Sequence, residues 1–300
     1  MDRKGAVERI PFPPGGYVAV ALSPDGGRLA AITVDKSETD SLLIGDVARG
    51  MLSRSSAKGI FDHLAWAPDG KRVAFGFRPG RRGLGHVYWQ NADGSTAPER
   101  LTSETAVQQE NPTSFSPDGS LLLLDLFNFS DTSPANTLWD IFVLSLSGER
   151  TLRPFLQTKF TEWRARFSPD GRWVAYDSNE AGGWQVFVRS FPGPGQRWQI
   201  SMSGGIEPRW SRSGRELFYR SWEWMAAVDV ETKPTFRVSR PRALFEGHYH
   251  ISGEGNDYDV AADGQRFLMI KPDPAESGPA NVKVVLNWFE EVKRRVPGAK

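Results

Sequence analysis

The chain of 300 residues contains no cysteine. Disulfides, thiolate metal sites and cysteine nucleophiles are therefore excluded, while the compartment stays open, because a cysteine-free protein suits either redox state. Charge of one sign is not in excess either: 37 Lys and Arg stand against 36 Asp and Glu, which points to neither nucleic-acid nor membrane-surface binding. Long apolar runs are missing. The richest, Leu121 to Leu124, is broken by Asp125, far short of the ~20 residues that span a bilayer, and Met1-Asp2-Arg3-Lys4 does not open a signal peptide. The sequence reads as soluble, with no membrane insertion by this chain. What it holds in abundance is 30 Gly, 21 Pro, 18 Phe and 11 Trp, the composition of aromatic-packed strands joined by many turns. An all-β protein is expected.

One short motif recurs along the whole chain. Ser23-Pro24-Asp25-Gly26, Ala67-Pro68-Asp69-Gly70, Ser116-Pro117-Asp118-Gly119 and Ser168-Pro169-Asp170-Gly171 are followed by the degraded copies Ser211-Arg212-Ser213-Gly214 and Ala261-Ala262-Asp263-Gly264. Successive turn glycines lie 44, 49, 52, 43 and 50 residues apart, a period that belongs to propeller blades. Pro presets φ, Asp caps the turn through its side chain, and Gly takes the left-handed conformation that closes a hairpin. An apolar residue precedes each turn, and a strand such as Arg72 to Phe77 or Arg172 to Tyr176 follows it. Further strands are expected at Ser41 to Asp46, His86 to Gln90, Trp139 to Ser145, Trp184 to Arg189, Met225 to Val230 and Val282 to Trp288. Short outer strands are expected at Glu99 to Thr102, Arg197 to Ser201 and Arg242 to Glu246.

The expected architecture is one domain over residues 1–300, a six-bladed β-propeller of four-stranded antiparallel blades. Its blades fall near 13–58, 59–104, 105–158, 159–202, 203–247 and 248–288, with a short helix over 288–295. Residues 6–11 are expected to supply the outer strand of the last blade and so leave no raw sheet edge.

The turn motif, with an aromatic before it and Arg-Φ-Ala-Tyr/Phe after it, resembles the repeat of the TolB-like propellers over essentially the whole chain. Phe245-Glu246-Gly247, the run Tyr258 to Ile270 and the ending Val285 to Glu291 resemble the C-terminal propellers of bacterial membrane serine/threonine kinases. That resemblance implies an extracytoplasmic sensor, either excised from a parent chain in which a kinase domain and a transmembrane segment precede it or a free-standing relative. No kinase motif occurs in these residues.

With all turns on one face, the starts of the inner strands ring the channel mouth on the other. They read Gly16-Tyr17, Asp62-His63, Glu110-Asn111, Glu162-Trp163, Glu207-Pro208 and Asn256-Asp257. A ring of oxygens is what a hard cation needs, so Glu110, Asn111, Glu162, Glu207 and Asp257 are candidate ligands for Ca²⁺. The competing reading pairs these groups with Arg164, Arg166 and Arg209 on the same strands. His63 beside Asp62 is the candidate general base. Phe127, Asn128 and Asp131 in the longest loop, with Trp222 and Trp224 in the equivalent loop of the fifth blade, are candidate ligand grips.

Weaker signals include His248 and His250, which share one face of an extended segment, and the basic cluster Arg78 to Arg82. Ser55-Ser56-Ala57-Lys58 matches a nucleophile motif but lies in a connection between blades. No Gly-x-Ser-x-Gly, dinucleotide or P-loop fingerprint is present. The reading is a non-catalytic binding or sensor propeller whose mouth takes a small molecule, glycan, peptide or protein partner. The alternative is a calcium-dependent hydrolase of esters, lactones or phosphotriesters.

Overall fold

In the computed structural model every turn of the repeat is built as its residues require. The six turn glycines, Gly26 to Gly264, have φ between 64° and 75°, and each donates its N–H to the residue three earlier at 2.8–2.9 Å. Asp118 shows the cap: its carboxylate accepts from Ser120 N at 3.0 Å and from the Ser116 hydroxyl at 2.6 Å. The structure describes all residues except 36–39, 81–82, 104–108, 128–137, 194, 223, 248, 252–255 and 273–300. The chain divides into two compact units, Met1–Ile270 and Lys271–Lys300. The described strands lie in the first.

Four blades are four-stranded antiparallel sheets. They comprise β1 to β4 (Tyr17–Leu22, Arg28–Val34, Asp40–Asp46, Met51–Arg54), β5 to β8 (Ile60–Trp66, Arg72–Arg78, His86–Asn91, Glu99–Arg100), β9 to β12 (Gln109–Phe115, Leu121–Phe127, Trp139–Ser145, Leu152–Leu156) and β13 to β16 (Glu162–Phe167, Trp173–Ser178, Gln185–Ser190, Arg197–Gln199). The fifth blade is β17 (Ile206–Trp210), β18 (Glu216–Ser221) and β19 (Trp224–Glu231), with β20 (Arg237–Val238) and β21 (Arg242–Glu246) sharing the outer edge of β19. The sixth repeat forms only the pair β22 (Tyr258–Val260) and β23 (Phe267–Met269).

The core lies between blades. Ile32 and Leu42 of the first pack with Phe61, Leu64 and Phe75 of the second; Leu123 and Ile141 of the third pack with Phe167 and Tyr176 of the fourth. Tyr258 and Phe267 of the last pair join Phe218 and Phe245 of the fifth blade, while Leu268 and Ile270 reach Val20 and Leu22 of the first. With Val20 N donating to Asn256 O at 2.8 Å, the sheets close into a ring.

Two expectations are corrected. The described residues make five blades and a two-stranded sheet, not six blades. The sixth turn forms, but the strand expected at 282–288 and the helix at 288–295 lie outside the described residues. Nor do residues 6–11 form a strand. Met1 takes the place beside β23, donating its amino group to Phe267 O at 3.0 Å and accepting from Phe267 N at 2.7 Å. The carboxylate of Asp2 then accepts from Lys4 N and Ala6 N, which turns the chain off the edge, and Pro11, Pro13 and Pro14 offer no N–H to a ladder.

Candidate functional site

The inner strands β5, β13 and β17 each carry a bulge shortly before the turn. The bulged residues are not glycine: His63, Arg164 and Glu207 sit at φ 46°, 55° and 58°. A bulge re-aims side chains and leaves an N–H outside the ladder. Here carboxylates from the preceding blade supply the acceptor. Asp125 of β10 accepts from Arg164 N at 2.6 Å, and Asp177 of β14 accepts from Glu207 N at 3.0 Å. Both stand six residues after their turn glycine, a position held by Ile32, Gly76 and Arg220 in the other blades.

Burial raises both acids to about 7, against the opposing pull of these N–H bonds and of the nearby arginines. Arg164 donates to Asp177 Oδ2 at 3.1 Å and stacks its guanidinium 3.8 Å over the Trp163 ring. Arg220 stands 3.7 Å from Glu207 Oε2, and Glu207 Oε1 accepts from Asp257 N at 3.3 Å.

The expected ligand ring does not converge. Glu110 is buried against the Thr102 hydroxyl and His86 Nδ1, the latter at 3.3 Å. Glu162 accepts from the Thr158 hydroxyl, and burial raises it to about 7. Asn111 Oδ1 accepts from Gln109 at 3.3 Å, and Asp62 lies 3.5 Å from Arg78. Among the described residues no three His, Cys, Asp or Glu side chains are grouped to hold a metal.

Residues that do come together are Glu207, Asn256, Asp257 and the surroundings of His63. Asn256 crosses the lumen: its Nδ2 donates to Leu64 O of the second blade at 2.5 Å and its Oδ1 accepts from Arg166 of the fourth at 2.6 Å. His63 itself is buried with no partner on either ring nitrogen. Burial first, then Arg164, Arg166 and Arg209, lower its imidazole to about 3, so it is neutral at physiological pH.

On the mouth face a row of four half-buried rings crosses two blades. Phe127 lies 5.0 Å from Trp139, Trp139 lies 5.7 Å from Trp163, and Trp163 lies 5.5 Å from Trp184. Only Phe127 of this row stands out from the sequence as a ligand grip; Trp139 and Trp184 read as strand ends, and their shared face emerges once the blades stack. Asn128 and Asp131 lie outside the described residues, as do His248, Arg81 and Arg82. Trp222 and Trp224 line a separate shallow surface pocket with Tyr249 and Met269. His250 is half-buried beside Arg220, to which its backbone carbonyl is bonded. Ser55 donates to Gln90 Oε1 at 2.8 Å as part of the packing between blades.

This geometry defines a β-propeller with a polar, side-chain-crossed channel. It is similar to a TolB protein of Agrobacterium tumefaciens, at TM-score 0.60 and 18% identity over 79% of this chain and 84% of that one. It is also similar to TolB of Acinetobacter baumannii, at TM-score 0.58 and 18% identity over 77% of this chain and 56% of that one. A structure from a study of two prolyl endopeptidases matches at TM-score 0.51 and 16% identity, over 76% of this chain and 36% of that one. The match thus spans little more than half of the Acinetobacter protein and about a third of the endopeptidase. No protein-family model and no curated protein matches the sequence. At these identities the likeness establishes a TolB-like propeller fold.

Proposed function

We propose that the chain is a non-catalytic binding propeller that presents its mouth face to a peptide, glycan, small molecule or partner protein. The observation that carries this is the row Phe127, Trp139, Trp163 and Trp184: four contiguous rings on the face where the inner strands begin, half-buried. Rings held side by side with little freedom are a stacking platform, and the buried guanidinium of Arg164 over Trp163 fixes its inner end.

The finer reading is a sensor of the kind that ends bacterial membrane kinases, supported by the resemblance of Phe245–Gly247 and Tyr258–Ile270. No helix among the described residues is long and apolar enough to cross a membrane. A hydrolytic alternative draws on the fold shared with the prolyl endopeptidases, and calcium-dependent turnover of aryl esters or phosphotriesters would be its support.

The binding reading is tested on arrays of short peptides and oligosaccharides, with wild type beside Trp139→Ala and Trp184→Ala. Losing one ring of a stacking platform is worth about 0.5–1.5 kcal/mol beyond buried area, so a ligand on the row should bind at least several-fold more weakly to either variant. Ligands bound equally by all three proteins would place recognition elsewhere.

A further inference from the structure

We propose that His63, Arg166 and Arg209 form an anion site in the channel lumen, built for a carboxylate or a small oxyanion. It does not depend on the mouth face having a partner.

The first observation is His63. It is 2% exposed, and neither ring nitrogen has a hydrogen-bond partner. A neutral imidazole carries one N–H donor and one acceptor, and leaving both unmade in a buried site is costly. The charges that act on it most are the cations Arg164, Arg166 and Arg209. Arg164 is engaged with Asp177 and the Trp163 face.

The second observation is the state of the other two arginines. Arg166 donates to an uncharged acceptor, Asn256 Oδ1, and its Nε is buried without a partner. It keeps some solvent exposure although burial and Arg209 together pull it down to about 9, which is how a side chain in a narrow lumen behaves. Arg209 donates to the carbonyl of Pro208 at 3.1 Å, and its Nε stands 3.9 Å from Asp259, beyond hydrogen-bonding distance. The nearby carboxylates hold backbone N–H groups instead: Asp259 accepts from Leu22 N at 2.8 Å, Glu207 Oε1 from Asp257 N and Asp125 Oδ2 from Arg164 N, while Asp125 Oδ1 and Glu207 Oε2 are buried without a hydrogen-bond partner.

The third observation is register. Arg166 and Arg209 stand two residues before their turns, where the first three blades have Ala21, Ala65 and Ser114. The sixth repeat has Asp259 there, so two long cations share this register with three short side chains and one acid. Trp210 Nε1 donates to Arg166 O at 3.1 Å and keeps their strands together, while Asn256 ties Arg166 to the carbonyl of Leu64, next to His63. Two guanidinium forks and one imidazole N–H, brought into the same region of the lumen, match the oxygens of a carboxylate or phosphate.

The test uses the full chain, titrated with inorganic phosphate and with acetate against sodium chloride at equal ionic strength. Melting temperature is followed together with the ¹⁵N imidazole signals, that of His63 being assigned through His63→Asn. A saturable rise in melting temperature with a saturable move of the His63 signal is expected, weakened about tenfold or more in Arg166→Gln and in Arg209→Gln. A rise of equal size in wild type and variants, or a His63 signal that stays still in wild type, overturns the site; the wild-type signal decides even if a variant fails to fold. A peptide with a free C-terminal carboxylate and its C-terminal amide then compete against phosphate. Displacement by the acid alone identifies a chain end as occupant, and displacement by neither identifies a free anion; displacement by both would mean that the carboxylate is not what is read, and would overturn the assignment. Trp139→Ala should leave anion binding intact, so this site and the mouth platform fail independently.

Discussion

The two sides of the channel solve one backbone problem by different means. On the side of the third to fifth blades, the bulged residues Arg164 and Glu207 have their N–H groups capped by Asp125 and Asp177, buried carboxylates six residues after a turn glycine. On the side of the first two blades that register holds Ile32 and Gly76, and the facing residues are His63 and Pro112. Pro112 has no N–H to cap, so Gly76 opposite it can be small. Burying a carboxylate stabilises only when its bonds outweigh its desolvation, and proline avoids that exchange altogether. The charged side therefore caps its bulges with buried carboxylates and the other side does not, which is where both ring nitrogens of His63 stand without a hydrogen-bond partner.

The largest effect expected from this contrast is that of Asp177→Ala. It removes the cap on Glu207 and strands a buried Arg164, and breaking one partner of a buried pair costs about 3–5 kcal/mol. Ile32→Val at the same register should cost only about 0.5–1.5 kcal/mol. Urea unfolding of the two variants measures the gap. Equal costs would mean that the carboxylate is not holding the bulge.

Next in size is Gly76→Ala. An added Cβ would lie 2.8 Å from Asn111 Oδ1 and 3.1 Å from Asp62 O, so the variant should lose about 1–3 kcal/mol through overpacking. A neutral result in the same unfolding assay would show that the inner strand of the third blade can shift, and that the apolar side is looser than its packing implies.

These positions also mark how far the residues alone carried the reading. The repeat was legible because each turn needs Gly at positive φ, and six turns, their flanking strands and the antiparallel blades followed from it. Asp125 was visible only as a break in an apolar run, since its role depends on the N–H of Arg164, 39 residues onward in the next blade. The supposed ligand ring failed on register. Glu110 and Glu162 stand six residues before Ser116 and Ser168, whereas Glu207 and Asp257 stand four before Ser211 and Ala261. With a bulge between those levels, the first pair turns toward Thr102 and Thr158 and the second toward the lumen. The competing reading paired these carboxylates with Arg164, Arg166 and Arg209; in the structure Arg164 pairs with Asp177, Arg166 donates to Asn256 and Arg209 stands nearest Asp259, while Asp62 lies by Arg78 and Glu207 by Arg220. The closing strand was misplaced because the need for an outer strand at the last blade says nothing of the turn that Asp2 imposes just before Ala6 to Pro11.

The effect that is small at any one pH step separates the two sides by the sign of their pH dependence. Asp125 titrates near 7 in the fold, above its ordinary 3.8, so between these values the folded chain holds a proton that the unfolded chain has released. Stability from this group is present at low pH and is lost as pH rises toward 7. His63 behaves in the opposite way. Its folded value near 3 lies below the ordinary 6.5, so between them the unfolded chain binds the extra proton and stability is lost as pH falls. Each amounts to about 1.4 kcal/mol per pH unit within its window. Across pH 4 to 6.5, His63→Asn, a residue that tolerates positive φ, should make the decline of stability with rising pH steeper by that slope. Asp125→Asn should make the decline shallower by the same slope. Unfolding free energies of wild type and both variants at several pH values read this directly. Parallel curves for all three would mean that neither side of the lumen is as dry as its side chains indicate.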